Sequence, residues 1–217
     1  MNQMTDKHSL FIPILAATAA TIWALSNYAM QTEWMFYWII AAFGIPFTAK
    51  GMLSPLFVAA PLLMAIAMIF GTATAVTAAS GYSLLAAITR LLARADNTRT
   101  IFLGAAYTIC DTLCYGAVYH FLKSVSLFAA IVAMAGISYL VTSQFRFKNE
   151  RWMDRLPLFL NALLASSCAG FLSVFNNPLI PIVALPIMAV IHYWTRLHEH
   201  RFQTDSVTRA PYDIAGN

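Results

Sequence analysis

The sequence predicts an all-α, polytopic transmembrane helix bundle with both termini cytoplasmic. Three observations lead there. First, 60% of the 217 residues are hydrophobic and only 10% are charged, whereas a soluble domain carries about 25% charge. That is too little polar surface to cover a water-soluble fold, so lipid is the expected solvent. Second, the apolar residues come in near-continuous runs and do not alternate with period two. This excludes a β-barrel and leaves helices, which satisfy their backbone polar groups internally. Third, Lys and Arg collect between the runs, as topology signals do.

The first polar residues, MNQMTDKHS, are too few for a domain. Leu10–Met30 is the first predicted span. Its apolar stretch is too long for a signal peptide and lacks a small-residue cleavage site before a soluble domain. Pro13 is expected in its first turns, where a missing N–H does little harm. Trp23, Tyr28, Trp34 and Trp38 suit the membrane interface. Met35–Ala49 is short and broken by Gly44 and Pro46, so it either crosses with help or dips in and returns. Leu53 to Ala93 is an apolar run of roughly two bilayer spans. Gly71-Thr72 divides it, predicting helices over Met52–Phe70 and Ala73–Ala93. The alternative is a tilted helix ending near Gly81, followed by an interfacial helix over Tyr82–Ala93.

Asp96-Asn97-Thr98 is a helix stop and restart. The spans Ile101–Leu122, Leu127–Phe145 and Leu156–Phe175 follow, separated by Lys123–Ser126 and by the charged loop Arg146–Arg155. Asn176-Asn177-Pro178 reads as a turn. Leu179–Trp194 is the last span, bent by Pro181 and Pro186. Residues 1–195 therefore read as one integral membrane domain and 196–217 as a polar cytoplasmic tail.

Loop charge gives the orientation. Arg90, Arg94 and Arg99 mark one cytoplasmic loop. Arg146, Lys148, Arg151 and Arg155 mark another, and Arg196, Arg201 and Arg209 mark the C-terminus. Two spans separate each pair of basic segments, and the opposite loops carry only Lys123 or no charge, so the parity closes. About eight crossings follow if Met35–Ala49 crosses and the long run is a hairpin, and about six if neither holds. Eight is preferred.

The formal net charge of +4 is not a nucleic-acid signal, because no basic run has interleaved aromatics. Cys110, Cys114 and Cys168 all fall in apolar segments and form neither a CxxC pair nor a disulfide framework; they read as small packing residues. No metal or cofactor motif occurs. His198 and His200 with Glu199 read as a solvated helix end.

One residue breaks the apolar pattern. Asp111 lies ~15 Å along a helix from Ile101, near the bilayer midplane. The other acids, Asp6, Glu33, Asp96, Glu150, Asp154, Glu199, Asp205 and Asp213, read as loop or terminal positions. Asp111 shares a helix face with Gly104, Tyr107, Thr108, Cys114, Tyr115 and Val118. Gly104 permits close helix approach, and Thr108 and Tyr115 are expected to hydrogen-bond the carboxyl. An acid at this depth is a functional hypothesis by default: a proton or cation site, or a contact to a small-molecule substrate. The competing reading is a protonated Asp that glues two helices together. The other polar groups inside spans are Asn27, Asn161, Ser166 and Ser167. Asn161 and Ser167 are expected to share a cavity with Asp111. Ser80-Gly81 with His120 only weakly matches an intramembrane serine hydrolase, and no catalytic residue is assigned.

Asn27-Tyr28, Phe43-Gly44-Ile45-Pro46-Phe47 and Asp111-Thr112-Leu113 resemble short stretches of the queuosine-precursor transporter family, over about half of the chain. The spacings differ, and that family's other membrane acids have no counterpart here. The resemblance is not taken as membership, but it adds to the expectation of a solute carrier.

The function expected is thus a small-solute or ion transporter, or its membrane subunit, in a cell inner membrane, with the lipid bilayer as solvent. The alternative is a non-catalytic assembly, sensing or exclusion subunit. Its basic loop at Arg146, Lys148, Arg151 and Arg155 would dock a cytoplasmic protein partner, or the chain would form a homo-oligomer.

Overall fold

The computed structural model describes residues 4–28, 32–46, 55–94, 97–146 and 152–175. Among these it is all-helical: α1 (Met4–Ser26), α2 (Trp34–Phe43), α3 (Pro55–Phe70), α4 (Thr72–Leu92), α5 (Thr98–Leu122), α6 (Leu127–Arg146) and α7 (Trp152–Phe175). The predicted last span, Leu179–Trp194, and the polar tail lie outside the described residues.

The long apolar run is a hairpin, and a single residue makes its turn. Gly71 has φ 94° and ψ 165°, a region essentially closed to residues with a Cβ. It ends α3 and starts α4 within one peptide unit. The alternative of a helix stopping near Gly81 is overturned, because α4 runs unbroken to Leu92. Gly81 is a contact point there: a methyl group on it would meet the Trp38 ring at 3.5 Å, and Trp38 Nε1 donates to the Ala78 carbonyl at 2.9 Å.

Helix starts and stops follow local chemistry. The Asn97 side chain accepts the Arg99 amide at 3.2 Å, capping α5 as expected of an Asn N-cap. Arg94, with φ 49°, closes the end of α4 in the left-handed conformation common just past a helix C-terminus. Three expectations change here. Pro13 is interior to α1, which begins at Met4. Asp154 falls in the first turn of α7, where acids favour the helix dipole, and is not a loop residue. α2 has only 10 residues, ~15 Å long, about half the hydrocarbon thickness.

The bundle is centred on α3, α4 and α5. α5 packs on α1, α3, α4 and α6, while α7 closes on α3 and α6. The α4–α5 contact is close at Gly116, where an added methyl would lie 2.6 Å from Thr72 Cγ2. The α6–α7 contact tightens at Gly170, against Ile131. Small residues at such crossings are what membrane helix packing selects. Gly104 does not take the close-packing role expected of it: nothing lies within 4 Å of its missing Cβ.

The buried set runs from Leu62–Ala67 of α3 through Ala75, Ala78, Ala79 and Tyr82 of α4 to Tyr115, Met134, Ala165 and Leu172. The perimeter is apolar as well. Phe11, Ile12, Ile22, Leu84, Leu92, Phe102, Phe121, Phe128, Leu140, Leu160 and Val174 all point outward. Among the described residues, two helices, Thr72–Leu92 and Thr98–Leu122, are long and apolar enough to cross a membrane.

Candidate functional site

Asp111 is the fourteenth residue of the 25-residue α5, and its side chain is 6% exposed. Its neighbour across the α5–α6 contact is Ser138, itself buried, whose Oγ donates to Asp111 Oδ2 at 2.9 Å. Asp111 Oδ1 is enclosed and has no partner among the described residues. The carboxyl therefore faces neither the apolar perimeter nor a helix end. It sits inside the bundle with one oxygen fixed and the other unengaged.

The hairpin explains the pairing. Lys123–Ser126 joins α5 to α6, with the Val125 and Ser126 amides both bonding the Leu122 carbonyl. Antiparallel helices joined this tightly bring together residues equidistant from the turn. Asp111 lies 11 residues before Leu122, and Ser138 lies 11 after Leu127. One turn nearer the loop, Tyr115 and Met134 form the next buried level, in the same relation to the turn. Ser138 is not among the polar residues that the sequence singles out. The signal that locates it is this symmetry about Lys123–Ser126.

The two expected partners of the carboxyl spend their protons elsewhere. Thr108 Oγ1 donates to the Gly104 carbonyl at 2.9 Å. Tyr115 Oη donates to Thr112 Oγ1 at 3.1 Å, and Thr112 donates in turn to the Thr108 carbonyl at 2.7 Å. Their hydroxyls thus form a ladder along α5 beside Asp111, not a set of ligands on it. The reason is general: a buried hydroxyl finds its own helix's i−4 carbonyl at no cost in order. Thr18, Thr21, Thr74, Thr77, Ser80 and Thr89 do the same. Against that background Ser138, whose proton goes to an acid on another helix, stands apart.

Asn161 is in α7, which packs on α6 and α3. Its side chain lies outside the described residues. The Gly170–Ile131 contact sets the α6–α7 register and puts Asn161 within about one turn of the depth of Ser138. Ser167 is exposed, which overturns its expected place beside Asp111. Ser166 is fully buried but donates to the Leu163 carbonyl at 3.0 Å. Of the docking residues, Arg146 ends α6 and Arg155 lies in the first turn of α7. Their side chains, and Lys148 and Arg151 altogether, lie outside the described residues.

Ser80 and His120 are not brought together. Ser80 is 2.9 Å from Thr21 on α1, whereas His120 is exposed near the end of α5 that meets the Gly71 turn. There a groove of about 290 Å³ is lined by Met68, Phe70, Thr72, Tyr119, His120 and Lys123. Asp111 is ~12 Å down α5 from Tyr119, so this groove is a separate feature. Among the described residues no three His, Cys, Asp or Glu side chains converge as for a metal. Cys110 and Cys114 stand one turn apart on α5, unbridged.

No known family, characterised protein or solved structure shows significant similarity to this chain.

Proposed function

We propose that the protein is a multi-pass integral membrane protein of a bacterial-type inner membrane. In this reading it carries a small solute or ion, alone or as the membrane subunit of a carrier, with Asp111 as the coupling or substrate-contact residue. One observation carries the proposal: a carboxyl enclosed midway along a long apolar helix, with Ser138 on one oxygen and, among the described residues, no partner on the other. A carboxyl serving only as glue between α5 and α6 gains nothing from leaving Oδ1 unpaired, and an unpaired buried polar atom costs about 1–3 kcal/mol. A binding residue does gain, because the unpaired oxygen is where a transported species is received.

Multi-pass insertion is supported by the perimeter. Large apolar side chains face outward on α1, α4, α5, α6 and α7, as lipid-facing helices require. The charge distribution supports one orientation. The α4–α5 and α5–α6 hairpins put Arg90, Arg94, Arg99 and the Arg146 end of α6 together, with Gly71 and Lys123 at the opposite end. By the positive-inside rule the arginine end is cytoplasmic. The Gly71 hairpin favours the eight-crossing arrangement, with α2 as the first part of the second crossing and both termini inside.

The test is solute-driven charge or proton movement in proteoliposomes, screened with pools of small solutes. Wild-type protein is expected to give a signal that Asp111→Asn abolishes at an unchanged protein level. Uptake that survives Asp111→Leu in a folded protein sinks the reading. The basic end favours a second reading, a non-catalytic subunit that docks a cytoplasmic protein. That reading predicts loss of function on neutralising Arg146, Lys148, Arg151 and Arg155, with Asp111→Asn tolerated.

A further inference from the structure

We infer that the species exchanged at Asp111 is a proton, and that Ser138 positions the carboxyl that holds it. The inference rests on the carrier reading of this site. Its basis is the charge the site must balance. Around Asp111 the described hydroxyls, Thr108, Thr112, Tyr115 and Ser138, are neutral donors, and among the described residues no further acid, His or Cys converges with it as for a metal. One oxygen of the enclosed carboxyl, Oδ1, is unengaged. A proton on that oxygen leaves the site neutral, whereas a divalent cation such as Mg²⁺ or Ca²⁺ on a single carboxylate leaves a net charge in an apolar interior.

Among the described residues the neighbouring elements place no rival base or counter-ion at the carboxyl. On α5 the ionisable groups near the carboxyl are Tyr107, Cys110, Cys114 and Tyr115. On α6, Tyr139 packs edge-on against Phe159 of α7, at a centroid distance of 5.6 Å. α3 carries no ionisable residue, nor does α1 from Phe11 to Ser26. On α4, Tyr82 is packed in the cluster with α2 and α3, and Arg90 is in the last turn of the helix. The proton balance is then simple. The acid form carries H on Oδ1, release leaves the carboxylate, and Ser138 keeps its own proton throughout. A hydroxyl donating to a carboxyl bonds the anion more strongly than the acid. Ser138 therefore eases release, and by holding Oδ2 it leaves Oδ1 as the exchanging atom.

The measurement is infrared titration of the full chain in phosphatidylethanolamine–phosphatidylglycerol vesicles, with no solute present. A protonated-carboxyl C=O band is expected that disappears as pH rises, shifts in D₂O, is unchanged by Na⁺ or Mg²⁺ at fixed pH, and is missing in Asp111→Asn. Should that variant fail to fold, Asp111→Glu must move the band. In Ser138→Ala the loss is expected about one pH unit higher, the difference between a charged and a neutral hydrogen bond, and Ser138→Thr is expected to restore it. A band that responds to Na⁺ or Mg²⁺ at constant pH, or no titrating band, overturns the inference. Because no solute is needed, a titrating band without solute flux would instead remove the carrier reading and leave the proton site.

Discussion

At the scale of single residues, the cost of the site decides what its neighbours must be. A charge at the bilayer centre costs between about 2.5 and more than 10 kcal/mol, depending on the method, while an interhelical hydrogen bond inside a membrane returns about 1 kcal/mol. One Ser138 hydroxyl cannot offset a permanent charge, so a lone carboxyl at that depth is favoured in its neutral, protonated form. The glycines give sharper tests. Gly116→Ala places a methyl 2.6 Å from Thr72 Cγ2 and is expected to destabilise by about 1–3 kcal/mol, the usual range for overpacking. Thr72→Ala in the same chain removes the clashing atoms and should recover part of that loss. A double-mutant cycle read by heat- or SDS-induced unfolding checks both. Gly104→Ala meets open space and is expected to be neutral or stabilising by up to about 1 kcal/mol through helix propensity. A loss comparable to that of Gly116→Ala would restore the close contact first expected there.

At the scale of elements, the α3–α4 turn is the point of least tolerance. Gly71 at φ 94° and ψ 165° makes Gly71→Ala costly by about 1–3 kcal/mol, through backbone strain alone. Its missing Cβ has no neighbour within 4 Å, so crowding is not the cause. Gly71→Asn should therefore be no better than Gly71→Ala, since Asn tolerates the left-handed helical region and not this one. Apparent melting temperatures of the two variants test this. α2 depends on few contacts. Trp34 Nε1 donates to Tyr28 Oη at 2.7 Å, the Tyr37 ring meets Phe70, and Trp38 reaches the Ala78 carbonyl. Trp38→Phe keeps an aromatic side chain but loses that bond and the indole edge at Gly81, with an expected cost of about 0.5–1.5 kcal/mol from the bond alone.

At the scale of the whole molecule, sidedness is the testable property. With Cys110, Cys114 and Cys168 replaced, Arg94→Cys is expected to react with a membrane-impermeant thiol reagent only from the cytoplasmic face. Ser124→Cys is expected to react only from the opposite face. Both positions are exposed at opposite ends of α5. Labelling of both from one side would end the multi-pass topology, whatever the role of Asp111.

Composition and the length of the apolar runs determined the helical class, the break at Gly71, the restart at Asn97 and the central place of Asp111. Each of these depends on a residue and its near neighbours: Gly alone reaches φ 94°, Asn caps, and a lone acid interrupts a hydrophobic run. Side-chain partnership did not follow, because it depends on which helices become neighbours. Thr108 and Tyr115 share the Asp111 face along the chain, yet both bond within α5. Ser138 became the carboxyl's partner only through the antiparallel register that the Lys123–Ser126 turn imposes. Gly104 and Gly116 look alike along the chain, and packing on α4 decided which one is crowded. Tertiary structure settled these matters because a hydroxyl or a glycine acquires its role from what stands opposite it, and that is a property of two helices together.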